Sequence, residues 1–215
     1  MVVTTRRRDG DARPARLEAS APGDALHRRI VDRPWTFVRQ VHGAQVAEVD
    51  GPSAALVESD AIVTSSPATA LGVLGADCAL LGLASPEGII GVAHAGWRGL
   101  LAGVVGATAD KMRARGASRL EAVLSACVHE ECYPFAASDL DRLAAVLGDE
   151  VIGTASDGSP AFDLPAAVRG RLAAAEVELV AAAEGCTACS GEYFSFRRHH
   201  DAARHLLGVW LDRPR

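Results

Sequence analysis

Residues 71–100 read LGVLGADCALLGLASPEGIIGVAHAGWRGL. The apolar runs at 71–75, 79–84 and 89–93 are each too short for a helix and are separated by turn or breaker residues, which is the pattern of buried strands. Buried strands need cover on both faces, so this stretch commits the chain to a layered sheet structure. The breaks carry chemistry. Cys78 interrupts one apolar run, and His94 stands between another and the glycine-rich turn Ala95-Gly96-Trp97-Arg98-Gly99. Upstream, Gln40-Val41-His42-Gly43 presents a second histidine in a similar setting.

The rest of the chain fills in the layers. Residues 36–41 and 45–49 read as strands, with His42-Gly43 as a tight connection in which the glycine takes a positive φ. Residues 60–64 are a further short apolar run, closed by Ser65-Ser66-Pro67. Residues 100–115 have helical spacing, with Leu101, Val104, Val105, Thr108 and Met112 on one face and Gly116 as the stop. Ser138 is the expected cap of a helix through Leu147, ended by Gly148. Asp163 caps the next helix, with Pro165 in its first turn. Strands follow at 120–126, 177–182 and 206–211. Residues 1–33 read as loop-rich, with Arg6-Arg7-Arg8 as a solvated patch. No repeat or long linker divides the chain. The expectation is an α+β fold: residues 1–215 as a single-domain layered sandwich of mixed β-sheets with helices on the outer faces.

Charge and hydropathy exclude some partners. The net charge is −5, so no global basic field holds nucleic acid. No uninterrupted apolar run reaches the ~18 residues of a membrane span. The segment MVVTTRRRDGDARPAR has no apolar core of a signal peptide. The expected location is therefore the cytoplasm. The odd number of cysteines, five, then argues against a disulfide framework and for metal binding or catalysis by at least one of them.

His42, Cys78 and His94 are a sufficient ligand set for a catalytic zinc, which takes imidazole and thiolate and keeps one position open. Their intervals are not a local metal signature, so two other readings stand beside it. One is a metal-free Cys–His nucleophile. The other is a buried cysteine with two hydrogen-bonded histidines. Asp77, an acid inside an apolar run, needs a partner or an exposed strand end. The turn at Gly96 opens a helix and carries Arg98, which suits an anion such as phosphate.

QVHGAQV, SDAIVTSSPATALGVLGADCALL, VAHAGWRGLLAGV and CTACSGEYFSFRR resemble the bacterial laccase-domain family. Its members carry the labels polyphenol oxidase, multicopper oxidoreductase and purine nucleoside phosphorylase. The resemblance spans residues 36–211. It implies an α/β-sandwich with helices on both outer sides. It also implies zinc on the histidine of QVHG, the cysteine of ADC and the histidine of HAGWRG, here His42, Cys78 and His94. The implied chemistry is phosphorolysis of adenosine, inosine or guanosine, and deamination of adenosine. The alternatives are a metal-free Cys–His hydrolase and a non-catalytic member that binds nucleosides or cell-wall precursors. Copper oxidase chemistry is disfavoured, because an electron-transfer copper site wants an axial methionine and Met1 and Met112 are the only two.

Cys78 and Asp77 are the catalytic candidates, Asp77 as an acid for a leaving amine or as a structural acid. Gly96, Arg98 and Arg197 are the candidates for substrate and phosphate, and the partners expected are a purine nucleoside and phosphate. Cys127, Cys132, Cys186 and Cys189 have spacing compatible with a second, structural zinc site. Separate buried thiols are the expected outcome. Tyr193, Phe194 and Phe196 are expected to pack in the core.

Overall fold

The computed structural model describes residues 1–14, 25–53 and 57–212. In chain order the strands and helices are β1 (Val2–Thr4), α1 (Ala25–Ile30), β2 (Trp35–Thr36), β3 (Val46–Glu48), β4 (Ala61–Thr64), β5 (Ala70–Gly75), β6 (Ala79–Ala84), β7 (Ile90–Ala95), α2 (Trp97–Ala102), α3 (Val104–Ala114), β8 (Leu120–Leu124), α4 (Ala137–Leu147), β9 (Ile152–Thr154), β10 (Pro160–Phe162), α5 (Leu164–Ala174), β11 (Val177–Ala182), α6 (Phe196–His199) and β12 (His205–Trp210).

Two sheets lie face to face. One has the order β11-β8-β6-β7-β4-β3 and the other β1-β12-β5-β2, while β9 and β10 form a separate hairpin. Between the sheets, Ile62, Leu71, Val73, Leu80, Ile90, Val92, Leu207 and Val209 make one apolar cluster with contributions from both. A Cβ on Gly82 would lie 2.9 Å from Val209, so the close approach of the sheets here requires a residue without a side chain. The opposite face of the six-stranded sheet packs on α2, α3, α4 and α5 through Ala93, Leu100, Val105, Met112, Leu140 and Val168. The outer face of the four-stranded sheet carries Trp35, Ala70, Leu206 and Trp210 under Leu26 and Ile30 of α1. This is the expected α+β sandwich of mixed sheets.

Several local expectations differ from what forms. The strand over 36–41 is only the two-residue β2, and β2 and β3 belong to different sheets, so 42–43 is a crossing between layers and not a hairpin. His42, not Gly43, takes the positive φ, at 61°. The helix over 100–115 is two helices that meet at Gly103, whose left-handed φ of 89° ends α2 and starts α3. Apolar spacing is blind to this break because Leu100, Val104, Thr108 and Met112, all buried, keep i, i+4 spacing across it. α4 begins after Ala136, without a side-chain cap, rather than after Ser138. Asp163 does cap α5, accepting from the Ala166 N–H at 2.8 Å.

The N-terminal part is more ordered than its composition predicts. β1 pairs with β12, and His27 of α1 is buried, donating to the Ala12 carbonyl at 3.1 Å. Residues 15–24 of the expected loop-rich region lie outside the described residues. Arg7 is not merely solvated. Its guanidinium bonds Asp201 at 2.6 Å and the Tyr193 carbonyl at 2.9 Å, and lies over the Phe194 ring at 4.7 Å. A planar guanidinium satisfies ion pair, carbonyl and ring at once, which a short charge run does not reveal.

Tyr193 and Phe194 are buried as expected, but Phe196 is 56% exposed. Both buried rings pack on His205, whose Nδ1 accepts from the Phe194 N–H at 3.4 Å. Burial pushes His205 down to about 4, below its ordinary 6.5. Between these values the unfolded chain binds a proton that the folded chain does not, so stability falls as pH falls. From pH 7 to pH 5 the loss from this group is expected to be about 2 kcal/mol. Urea unfolding at the two pH values checks this, and His205→Gln should flatten that part of the slope.

Candidate metal centre

Strand register brings the candidate residues together. β7 runs antiparallel between β6 and β4, with Leu80 opposite His94 and Ala61 opposite Ala93. The end of β7 therefore meets the start of β6, where Cys78 sits, and the start of β4, where Asp60 sits. β3 is parallel to β4, so the 42–45 segment leading into it arrives at the same sheet end. His94 continues the alternating row of Ile90 and Val92 on its strand. One ligand atom from each of His42, Cys78 and His94 then falls within 4.8 Å of the others. His94 is buried, Cys78 half-buried and His42 exposed, so the cluster opens to solvent on the His42 side.

Asp60 organises this cluster. It is fully buried, and its Oδ1 accepts from His94 Nδ1 at 2.8 Å. The same carboxylate accepts the backbone N–H groups of Val41, His42 and Gly43 at 3.2, 2.9 and 2.7 Å. These bonds hold His42 in its strained left-handed conformation. With Nδ1–H given to Asp60, His94 turns Nε2 toward Cys78. Burial works against the charge on Asp60, but the His94 hydrogen bond and the loop N–H groups outweigh it and keep the carboxyl below its usual range.

Cys78 and His94 form a charge-separated pair. Burial pushes the Cys78 thiol up, yet hydrogen bonds from His42 and His94 dominate and bring it down to about 6. Burial disfavours protonated His94, but Asp60 and Cys78 raise it to about 9. A ready thiolate between two imidazoles is a donor set suited to a borderline-soft divalent cation. Gly96 makes room for it: a Cβ there would come within 2.9 Å of Cys78 Sγ and 3.4 Å of His42 Cδ2.

The other candidates divide. Asp77 is buried in a left-handed conformation at φ 99°. One carboxylate oxygen accepts from Thr187 Oγ1 at 2.8 Å and the other from the Arg197 N–H at 2.7 Å. α2 is only six residues long, so Gly96 opens a short dipole, and anion attraction here rests on Arg98 more than on the helix. Arg98 is exposed and lies over the Trp97 ring at 4.2 Å. Arg197 lies over Tyr133 at 4.4 Å. Phe135 joins these rings, 6.0 Å edge-on from Trp97 and 4.9 Å edge-on from Tyr133. Burial first, and then the charge of Cys78, push the Tyr133 hydroxyl up. Sequence reasoning missed Asp60, Tyr133 and Phe135. Asp60 had a weak signal, an acid ahead of the apolar Ala61-Ile62-Val63, and the two rings had none beyond Tyr133 following Cys132.

Residues 22–212 match the family described as multi-copper polyphenol oxidoreductase laccase. The chain belongs to this family. A Streptomyces griseus protein named purine nucleoside phosphorylase is 39% identical over 208 residues, covering 93% of this chain and 83% of its own length. A protein named adenosine deaminase, from an unknown prokaryotic organism, is 31% identical, covering 80% of this chain and 73% of its own. The crystal structure of YlmD from Geobacillus stearothermophilus superposes with a TM-score of 0.74 at 25% identity, over 99% of this chain and 91% of that one. Among the described residues no helix is long and apolar enough to cross a membrane.

Proposed function

We propose that this chain is a zinc-dependent enzyme of purine nucleosides, cleaving adenosine, inosine or guanosine with phosphate and deaminating adenosine, and working in the cytoplasm. The observation that carries the reading is the convergence of His42, Cys78 and His94 on one point at an open sheet end. The names of the two curated relatives supply the substrate class. Zinc held by these residues supplies Lewis acidity toward a substrate or water oxygen. Asp60 fixes the ring of His94 and the backbone of His42, so both imidazoles are oriented before substrate arrives.

Trp97, Tyr133 and Phe135 offer aromatic surface for a purine, and Arg98 and Arg197 bring two guanidinium groups to it. These arginines are the proposed phosphate contacts, because a guanidinium fork matches a phosphate oxygen pair. The carboxylate of Asp77, with both oxygens engaged, acts here as a positioning residue for the Cys78 turn and for Arg197 rather than as the acid for a leaving amine.

The reading is tested by following adenosine consumption with and without phosphate while resolving adenine, inosine and hypoxanthine. Adenine formed only with phosphate marks phosphorolysis, and inosine formed without it marks deamination. No product from adenosine, inosine or guanosine by zinc-loaded protein would favour a binding role instead. Arg197→Ala is expected to raise the KM for phosphate about tenfold while leaving deamination near its original rate. Gly96→Ala should weaken zinc binding by about tenfold, because its new methyl displaces Cys78 Sγ, and competition with a chromogenic chelator reads this directly.

A further inference from the structure

The cysteines outside the first cluster were expected to be separate buried thiols. Three of them are not separate. Cys132, Cys186 and Cys189, joined by Glu131, each place one donor atom within 4.8 Å of the others. Cys127 stays outside this group, buried beside Cys186 through a backbone bridge. Cys186 is buried, Glu131 and Cys132 are half-buried and Cys189 is exposed, so the group sits just beneath the surface.

We infer that Glu131, Cys132, Cys186 and Cys189 form a second, structural zinc site that pins the 130–132 turn to the 186–189 turn. The donor chemistry fits. Three sulfurs and a carboxylate oxygen are a complete set for tetrahedral zinc, whose ~2.3 Å bonds to sulfur put ligand atoms ~3.8 Å apart. The present separations close to that with shifts of about an ångström. On binding, the three thiols release their protons to solvent and each sulfur donates a lone pair.

The surrounding backbone is arranged for a thiolate. The His129 N–H points at Cys186 Sγ at 3.4 Å, which offsets charge on a metal-bound sulfur. The Ser190 N–H bonds the Cys186 carbonyl at 3.1 Å, curling Cys186-Thr187-Ala188-Cys189 so that both sulfurs face one point. Cys189 Sγ already lies 3.6 Å from Glu131 Oε1. A disulfide within the Cys-x-x-Cys would leave Cys132 and Glu131 without a role, whereas a cation uses all four. The clip also reaches the first cluster. Cys132 precedes Tyr133, the ring under Arg197, and Thr187 donates to Asp77, the neighbour of Cys78.

Zinc content of the full chain, purified without chelator, tests this. His42→Ala/Cys78→Ala removes the first cluster and is expected to retain about one zinc per chain. Adding Cys132→Ser/Cys189→Ser should take that to zero. A His42→Ala/Cys78→Ala protein without zinc overturns the inference, and so does a Cys186–Cys189 disulfide in the unreduced mass spectrum. Should wild type hold one zinc that only Cys132→Ser/Cys189→Ser removes, the second site stands and the first fails. A readout free of substitutions is alkylation of Cys189 by iodoacetamide, expected to be about tenfold slower with zinc than after chelation. Equal rates would contradict the site.

Discussion

Cys78→Ser is expected to remove zinc from the first cluster and to lower kcat/KM for adenosine by roughly a thousandfold. Serine keeps the size of the side chain, but its hydroxyl does not ionise near neutral pH, whereas the Cys78 thiol is drawn down to about 6 by the two imidazoles once they outweigh its burial. Losing the Lewis acid removes several kcal/mol of transition-state stabilisation, and about 4 kcal/mol corresponds to that factor. The fold should survive, since Cys78 is half-buried and lies ahead of β6 rather than inside the apolar cluster. Steady-state kinetics and metal analysis on the same preparation read both effects.

The second large effect is expected at Asp60. Asp60→Asn replaces an acceptor-only carboxylate with an amide that can no longer accept from His94 and all three loop N–H groups. Breaking a buried charged network by removing one partner costs roughly 3–5 kcal/mol. In a chain of this size that lowers Tm by about 10 °C. Zinc affinity should fall by about ten- to a hundredfold as well, because His94 loses the partner that orients it. Calorimetry with and without zinc separates the two: the Tm loss persists in chelated protein, and the affinity loss appears only on titration. An unchanged Tm in the chelated variant would mean that Asp60 does not hold the 41–43 loop.

The strands and the three ligand candidates were legible for the same reason. Buried strands must be short continuous apolar runs, and a Cys or His that ends such a run stands out against it, as Cys78 and His94 do. His42 was legible in the same way, at the end of the 36–41 run, but its local setting was misread because the register that places 42–43 between two sheets is long-range information. Asp60 lay inside a run read as strand, and nothing local says that its carboxylate faces back to cap a loop eighteen residues away. Tyr133 and Phe135 lie around a short turn without periodicity, so their edge-on packing beneath Arg197 depends on where that turn docks. The cysteines separated by 54 residues, Cys132 and Cys186, meet for the same reason, after the sheet order is fixed. The three-residue strands β1, β9 and β10 fall below the length at which alternation is visible and exist because a neighbour supplies the other half of the ladder.

On the proposed function, zinc held by His42, Cys78 and His94 is required for the turnover of purine nucleosides. The most direct test of this is adenosine turnover in the presence of phosphate, measured on chelator-stripped protein before and after zinc is returned, in wild type and Cys78→Ser side by side. Turnover is expected to be about a thousandfold lower in the stripped wild type, to recover on zinc addition, and not to recover in Cys78→Ser at any zinc level. Undiminished turnover by the stripped wild type, or zinc-restored turnover in Cys78→Ser, would contradict this role for zinc.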